Sequence, residues 1–371
     1  VRPLPVLWLT GAPGVGKSTV AWAMYSWAKD EGRPIAYIEI DQLGLLAPAP
    51  SNDPQYHRVK ADNLRAVLDT FRSHGVQQVI VSGVVDQERG IDGYFATALD
   101  IEFTLVRLRC DRTELRRRYL GRGSSEERLE ELMSVADAYD QNAVGIPFDT
   151  TALAPHEIVA KLSELVCVAG QPHSTAATPA EPPTTGAPAP VLVLAGPTAV
   201  GKSTVGFEVL RMLWSRDLPA AYIDVDQLGF CDAEFAREAM SENLIRLWHG
   251  YRQAGARALI VVARGIPRPY LQALADQSVT LVHLTASPSG LAKRIASRAH
   301  GHPHGDGPGL AGDSLIGASA EQQASTLDRS AEETIAVRQD GDGALVVDTD
   351  HETSSALAAR LADLFRLDLR A

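Results

Sequence analysis

The sequence predicts an α/β protein made of two domains, each a parallel sheet of about five strands covered by helices on both faces. Three observations predict it. Short apolar runs alternate with helical segments, as expected of strands joined by helical crossovers. A glycine-rich segment between a strand and a helix occurs twice, at Gly11–Thr19 and Gly196–Thr204, an offset of 185 (196 − 11). Further matches keep the same order. Ala36–Gly44 returns as Ala221–Gly229, Asn63-Leu64 as Asn243-Leu244, Thr104–Val106 as Thr280–Val282, and Asp149-Thr150 as Asp348-Thr349. Matches in constant order imply two copies of one domain, each too long for a solenoid repeat. Residues 1–168 and 191–371 are the expected domains. Residues 169–190, rich in Pro, Ala and Thr, read as a semi-stiff linker that cannot bury enough apolar surface to order itself.

In the first copy the expected strands are Val6–Leu9, Ile35–Ile40, Gln78–Ser82, Thr104–Arg109 and a short last one near Pro147–Asp149. Helices are expected at Lys17–Asp30, Asp62–His74, Arg112–Arg122, Ser125–Asn142 and Pro155–Val166. Ligands of such sheets bind beyond the carboxyl ends of the strands.

With 45% hydrophobic and 22% charged residues, the composition is that of a soluble globular chain. Its apolar runs are all far short of the roughly 20 residues that span a bilayer, so no membrane association is expected. The opening residues lack the pattern of a signal peptide, and a cytoplasmic location is the default expectation. A formal net charge of −11 argues against a nucleic-acid-coating surface. Cys110, Cys167 and Cys231 are scattered and odd in number, with neither metal-ligand nor redox spacing; Cys110 and Cys167, in or beside apolar runs, read as small buried hydrophobes.

Both glycine-rich segments have the P-loop spacing of Gly, four residues, then Gly-Lys-Ser, each following a strand and opening a helix. Gly11, Gly14 and Gly16, and Gly196 and Gly201 in the second copy, let backbone amides curl around phosphate oxygens. Lys17 and Lys202 reach the β- and γ-phosphates. The Ser18 and Ser203 hydroxyls bind magnesium, and Thr19 and Thr204 complete the motif. The helix that follows points its positive end at the same phosphates. ATP and Mg2+ are therefore the expected cofactors.

On the second strand stands Glu39-x-Asp41, matched by Asp224-x-Asp226. A spacing of two puts both carboxylates on one face of a strand, at its carboxyl end. Glu39 and Asp224 are the candidates to hold magnesium, Asp41 and Asp226 to orient or deprotonate an acceptor hydroxyl. A solvated strand end with a helix cap is the plainer alternative. The third strands end in Ser82-Gly83 and Ala263-Arg264, without the acid on which motor, helicase and AAA-type ATPases depend, and this argues against those classes.

A P-loop, an acid-x-Asp on strand two and a later Leu-x-x-Arg-x-x-x-Arg together resemble the small-metabolite kinases of the shikimate, gluconate, adenylylsulfate and chloramphenicol phosphotransferase type. The resemblance covers most of both halves. It implies that Asp41 and Asp226 contact the phosphoryl acceptor. Arg118 with Arg122, and Arg294 with Arg298, are each spaced by four and share a helical face. By the resemblance they close over the triphosphate and stabilise charge on the transferred group; a solvated basic helix is the alternative. Between Asp41 and the shared Asn-Leu, the first copy is five residues longer and carries Arg58 and Lys60. These are candidates to pair with an acidic acceptor, against a plain surface loop. His300, His302 and His304 alternate with Gly and Pro and read as a mobile polar lid rather than a metal site.

The expected function is an ATP-dependent phosphotransferase acting on a hydroxyl of a small metabolite, with the first copy the better candidate for catalysis. The alternative is an ATP-binding regulatory or scaffold protein with one or both domains inactive.

Overall fold

A computed structural model describes residues 3–121, 124–142, 144–166, 187–301, 310–313, 315–340 and 343–368. In chain order the elements of the first half are β1 (Leu4–Thr10), α1 (Lys17–Asp30), β2 (Ile35–Glu39), β3 (Leu46–Ala47), α2 (His57–Ser73), β4 (Gln78–Ser82), α3 (Asp92–Phe95), β5 (Ile101–Arg109), α4 (Arg112–Gly121), α5 (Leu129–Gln141), β6 (Ile146–Asp149) and α6 (Pro155–Leu162). The second half has β7 (Pro190–Gly196), α7 (Lys202–Trp214), β8 (Ala220–Asp224), α8 (Ala236–Gln253), β9 (Ala258–Arg264), α9 (Arg268–Ala273), β10 (Ser278–Thr285), α10 (Pro288–Ala299), α11 (Ala320–Asp340), β11 (Leu345–Asp348) and α12 (Ser354–Asp368). Most of the linker expected at 169–190, together with Cys167, Arg122, His302 and His304, lies outside the described residues.

The first sheet has the order β2-β4-β1-β5-β6 and is parallel throughout. The second has the order β11-β10-β7-β9-β8-β3. Five of its strands are parallel, and the sixth, β3, lies antiparallel to β8 with Leu46 opposite Ala221 and Ala47 opposite Ala220. The expectation of a purely parallel second sheet is corrected here. The departure has a physical cause: β8 would otherwise be an open edge, and unpaired strand edges recruit whatever backbone can reach them.

The central strands read as continuous apolar runs because they are covered on both faces. In β7, Leu192 and Leu194 pack with Val205, Val209 and Leu213 of α7 and Leu357 and Leu361 of α12, while the alternate residues Val191, Val193 and Ala195 are also buried. In the first half α1 packs on β1, β2, β4 and α6. Two elements were not expected from the sequence, β3 and the four-residue α3. Helix α2 starts five residues before the expected Asp62, and Glu126–Arg128 is a separate 3-10 turn ahead of α5.

The described residues group into two compact units whose boundaries do not follow the linker alone. Unit 1 takes in the described residues of Val1–Gly44, Lys60–Ala180 and Gly229–Ala239; unit 2 takes in those of Leu45–Val59, Glu181–Leu228 and Met240–Ala371. Each half thus gives one short segment, the one that follows its acid-x-Asp pair, to the unit built mainly from the other half.

One position departs from the duplication in a way that has an energetic cost. Gly14 has a φ of 85°, and its counterpart at the 185 offset, Ala199, holds a φ of 63°. A left-handed backbone costs an L-residue with a Cβ about 1–2 kcal/mol. We expect Ala199→Gly to stabilise unit 2 by up to about 1 kcal/mol once the greater unfolded-state freedom of glycine is subtracted. Urea unfolding measures this as a raised midpoint at unchanged slope; a lowered midpoint would show that the alanine methyl packs well enough to outweigh the strain.

Candidate nucleotide and phosphoryl-transfer site

In unit 1 the loop between β1 and α1 is shaped by backbone proximity. Gly11 has a φ of 137°, and a Cβ there would lie 2.3 Å from the Leu108 carbonyl oxygen of β5. Gly16 is the left-handed N-cap of α1. The Lys17 ammonium donates to the carbonyls of Gly11 and Ala12, both at 3.0 Å, so the lysine spans the loop that a phosphate would occupy. Unit 2 repeats the design. A Cβ at Gly196 would lie 2.6 Å from the Leu284 carbonyl oxygen, Gly201 is the left-handed N-cap of α7, and Lys202 donates to the Pro197 carbonyl at 2.9 Å. Ser18 with Thr19, and Ser203 with Thr204, stand in the first turns of α1 and α7.

Arg118 of α4 fastens onto this loop. It donates to the Val15 carbonyl at 3.0 Å, to the Thr150 hydroxyl at 2.9 Å and carbonyl at 2.8 Å, and to Glu114 at 2.6 Å. Arg294 of α10 does the same to Val200 at 3.1 Å and to the hydroxyl and carbonyl of Thr349 at 2.8 and 2.7 Å. Most guanidinium donors are thereby committed to holding the loop and the threonine after the last strand. Arg117 and Arg118 hold the Glu114 carboxyl well below its ordinary range, at about 2. Arg298 is paired with Asp313 at 2.6 Å, both largely buried. Thr150 and Thr349 complete this clamp, and their recurrence after an aspartate is the signal in the sequence that marks them.

The strand-end carboxylates differ between the units. In unit 1, Glu39 accepts hydrogen bonds from Tyr37 at 2.8 Å and Ser82 at 2.7 Å, with Ser18 also in reach. Burial raises its pKa, and these hydroxyls offset part of the rise. In unit 2, Asp224 is one methylene shorter, and Val262 stands where β4 has Ser82. Asp224 instead accepts from the Ser203 hydroxyl at 3.1 Å and the Asp226 amide at 3.2 Å, and the Tyr222 hydroxyl is left without a well-formed hydrogen bond. Burial, and next the Asp226 charge, push the Asp224 carboxyl up to about 7, while Lys202 acts in the opposite sense. A serine hydroxyl beside an under-compensated carboxylate is a donor set suited to a hard cation with oxygen ligands.

The second acid of each acid-x-Asp pair faces a cation, from different elements. Asp41 pairs with Lys60 at 2.6 Å. The Lys60 stem lies against Gly44, where a Cβ would come within 2.6 Å of Lys60 Cε. Asp226 faces Arg264 of β9 at 3.7 Å. Of the two predicted cations Lys60 pairs with Asp41, and Arg58 is exposed. In unit 2 a carboxylate also reaches the glycine-rich loop. Glu333 of α11 accepts from the Thr198 amide at 2.6 Å, and the residue matching Thr198 in the first half is Pro13, which has no amide hydrogen.

Residues 7–138 match the AAA_18 family, described as an AAA domain. This chain has a P-loop domain in its first half. The match is to an AAA domain although β4 and β9 end in Ser82-Gly83 and Ala263-Arg264, without the acid expected of AAA-type ATPases. No curated protein matches the chain. Among solved structures it is similar to a tunicamycin resistance protein of Deinococcus radiodurans, at 17% identity, 45% of this chain, 98% of that one and a TM-score of 0.35. It is also similar to a gluconokinase of Sinorhizobium meliloti 1021, at 20% identity, 44% and 93% coverage and a TM-score of 0.29. A shikimate kinase of Acinetobacter baumannii shares 18% identity, with 44% and 93% coverage and a TM-score of 0.30. None of the described helices is long and apolar enough to cross a membrane.

The raised carboxyl of Asp224 has a measurable consequence. A folded-state value above the ordinary 3.8 means that its contribution to stability is complete below that value and is lost as the pH rises through about 7. We expect the isosteric Asp224→Asn to stabilise unit 2 by about 1–2 kcal/mol at pH 8 without divalent cations, with the gain shrinking toward pH 4. Thermal melts across that range test it; a variant equally destabilised at both ends would show that Lys202 already neutralises the carboxylate.

Proposed function

We propose that the chain is a magnesium- and ATP-dependent phosphotransferase that moves the γ-phosphate to a hydroxyl of a small metabolite. In this reading residues 1–168 and 191–371 are duplicated nucleotide-binding domains joined by 169–190. The observation that carries it is the pair of carboxylates at the end of the second strand of each half, joined in unit 2 by the loop lysine. In unit 2, Lys202 feels Asp226 and Asp224 as its two leading charges. In unit 1, Glu39 feels the charge of Asp41. A site that only bound nucleotide has no need of the second acid.

Gly11, Gly14, Gly16, Lys17, Ser18 and Thr19 hold the triphosphate in this scheme, with Gly196, Gly201, Lys202, Ser203 and Thr204 as their counterparts. Magnesium, when bound, would neutralise charge on the triphosphate; Ser18 with Glu39, and Ser203 with Asp224, are the residues that would hold it. Asp41 orients the acceptor hydroxyl and receives its proton, and Lys60 releases Asp41 to do so as the acceptor enters. Arg118 and Arg294 act by fixing the loop that grips the phosphates. Arg122 and Arg298 are the remaining candidates to reach the nucleotide.

A specific observation favours a regulatory role for the second half. The Glu333 carboxylate sits on a loop amide in a position that disfavours an incoming phosphate, and Arg298 is already neutralised by Asp313. Catalysis is therefore assigned to the first half and nucleotide sensing to the second.

Isothermal titration with a non-hydrolysable ATP analogue and magnesium should report two sites per chain of unequal affinity. Lys17→Met should remove the tighter and Lys202→Met the weaker, and Glu333→Gln should tighten the weaker by roughly tenfold, the scale of one relieved charge contact. One site in the unmodified chain would sink the duplication of function. In a screen of hydroxylated metabolites for ADP release, Asp41→Asn should keep nucleotide affinity within a few-fold and lose about 100-fold or more in turnover, as for a general base. Normal transfer by that variant would remove Asp41 from the chemistry.

A further inference from the structure

The segments exchanged between the halves meet equivalent partners. In unit 1 the Tyr37 amide of β2 donates to the Phe230 carbonyl at 2.8 Å, and the two residues form an isolated antiparallel bridge. In unit 2 the Tyr222 amide of β8 donates to the Leu45 carbonyl at 2.9 Å, and β3 follows at once along the same strand. Tyr37 and Tyr222 differ by 185 positions, and so do Leu45 and Phe230. Residue i of one half therefore meets residue j of the other while j of the first meets i of the second, the reciprocity that marks a self-complementary contact between like chains.

Side chains reinforce the backbone pairing. The Phe230 ring lies 4.9 Å from Trp22, 5.8 Å from Tyr37 and 6.3 Å from Tyr25, distances that favour aromatic pairs. The Tyr25 hydroxyl donates to the Cys231 carbonyl at 3.3 Å. In unit 2, Leu45 packs against the core cluster that contains Tyr222, Leu46 is fully buried, and the Leu45 amide donates to the Tyr251 hydroxyl at 3.1 Å. Tyr37 leads on to the candidate site, because its hydroxyl donates to Glu39.

We propose that the two halves are obligate partners, each completing the open edge of the other's second strand with the segment after its acid-x-Asp pair, and that Phe230 of the second half is a positioning residue for Glu39 of the first. The surface each segment fits is the edge of a second copy of the same domain, here fused into one chain. Glu39 then keeps its geometry only while Tyr37 is clamped between the sheet and Phe230. The exchange stands on the geometry alone; the positioning role also rests on Glu39 serving the function proposed above.

Amide exchange followed by mass spectrometry on the full chain separates the two. Phe230→Ala should accelerate exchange of the Ile35–Glu39 peptide by about tenfold or more while leaving Ala220–Asp224 protected. Leu46→Asp should do the reverse. Acceleration confined to the substituted segment itself, with the second strand of the other half unchanged, overturns the proposal. Should Leu46→Asp fail to fold, Tyr251→Phe removes the hydroxyl that accepts from the Leu45 amide; faster exchange at Leu45–Ala47 supports the exchange and unchanged protection there overturns it. For the positioning role, Phe230→Ala should weaken magnesium-nucleotide binding at the Lys17 site, and Phe230→Leu, which keeps the backbone bridge and much of the packing, should restore it. Equal loss in both variants overturns positioning, while the exchange data still decide the exchange.

Discussion

Each unit is organised by a backbone contact too close for any side chain. The first glycine of the loop after the central strand presses against a carbonyl of the neighbouring strand, Gly11 on Leu108 and Gly196 on Leu284. That approach bends the chain sharply enough for the next glycine of the motif to cap the following helix in a left-handed conformation, which aims the helix end and its free amides into the crook of the loop. The lysine that opens the helix then folds back over the loop carbonyls. The arginine of α4 or α10 reaches the same loop from the far side, through Val15 or Val200. The carboxylates at the ends of β2 and β8 are in position because parallel pairing with β4 and β9 fixes where those strands stop. Remove the close approach, and the lysine, the arginine clamp and the carboxylates lose their common reference.

The two units then diverge by small substitutions around a shared frame. Glutamate with a tyrosine and two serines in unit 1 gives a carboxylate held by three hydroxyls. Aspartate with valine in unit 2 gives one that is buried with less support and pushed toward neutrality. Proline in the first loop removes an amide hydrogen that, in the second loop, is met by Glu333. Asp41 finds its cation on the first turn of α2, whereas Asp226 finds one at the end of β9. Each difference is local, yet together they give the loops opposite electrostatic tendencies: one waits for an anion, and the other already carries a competing one.

Much of this was legible in the sequence. The P-loop spacing and the strand-helix alternation placed β1, α1, β2, β4, β5 and α4 within a few residues, because apolar runs covered on both faces and glycine turns leave strong local signals. The strand-end acids were found for the same reason. What stayed hidden depends on residues distant in sequence. Nothing in Leu46-Ala47 announces a strand, since two residues have no periodicity and their pairing partner lies about 170 positions away. Ser82 reads as a strand end until it is seen to share a hydrogen-bond network with Tyr37 and Glu39. The resemblance, with the spacing of four, assigns the lid arginines to the triphosphate. Arg118 and Arg294 hold threonines and loop carbonyls, which only the packing of α4 and α10 reveals.

The borrowed edge segments also bear on the order in which the chain is made. Domains of a nascent chain ordinarily fold one after another as they emerge, the N-terminal one first. Unit 1 cannot follow that order to completion, because its β2 edge is closed by Gly229–Ala239, synthesised about 200 residues after the strand itself. At ribosomal rates of about 5–20 residues per second, Ile35–Glu39 stands open for some 10–40 seconds. For that interval the growing chain exposes an unpaired apolar strand edge, the feature through which strands of separate chains pair.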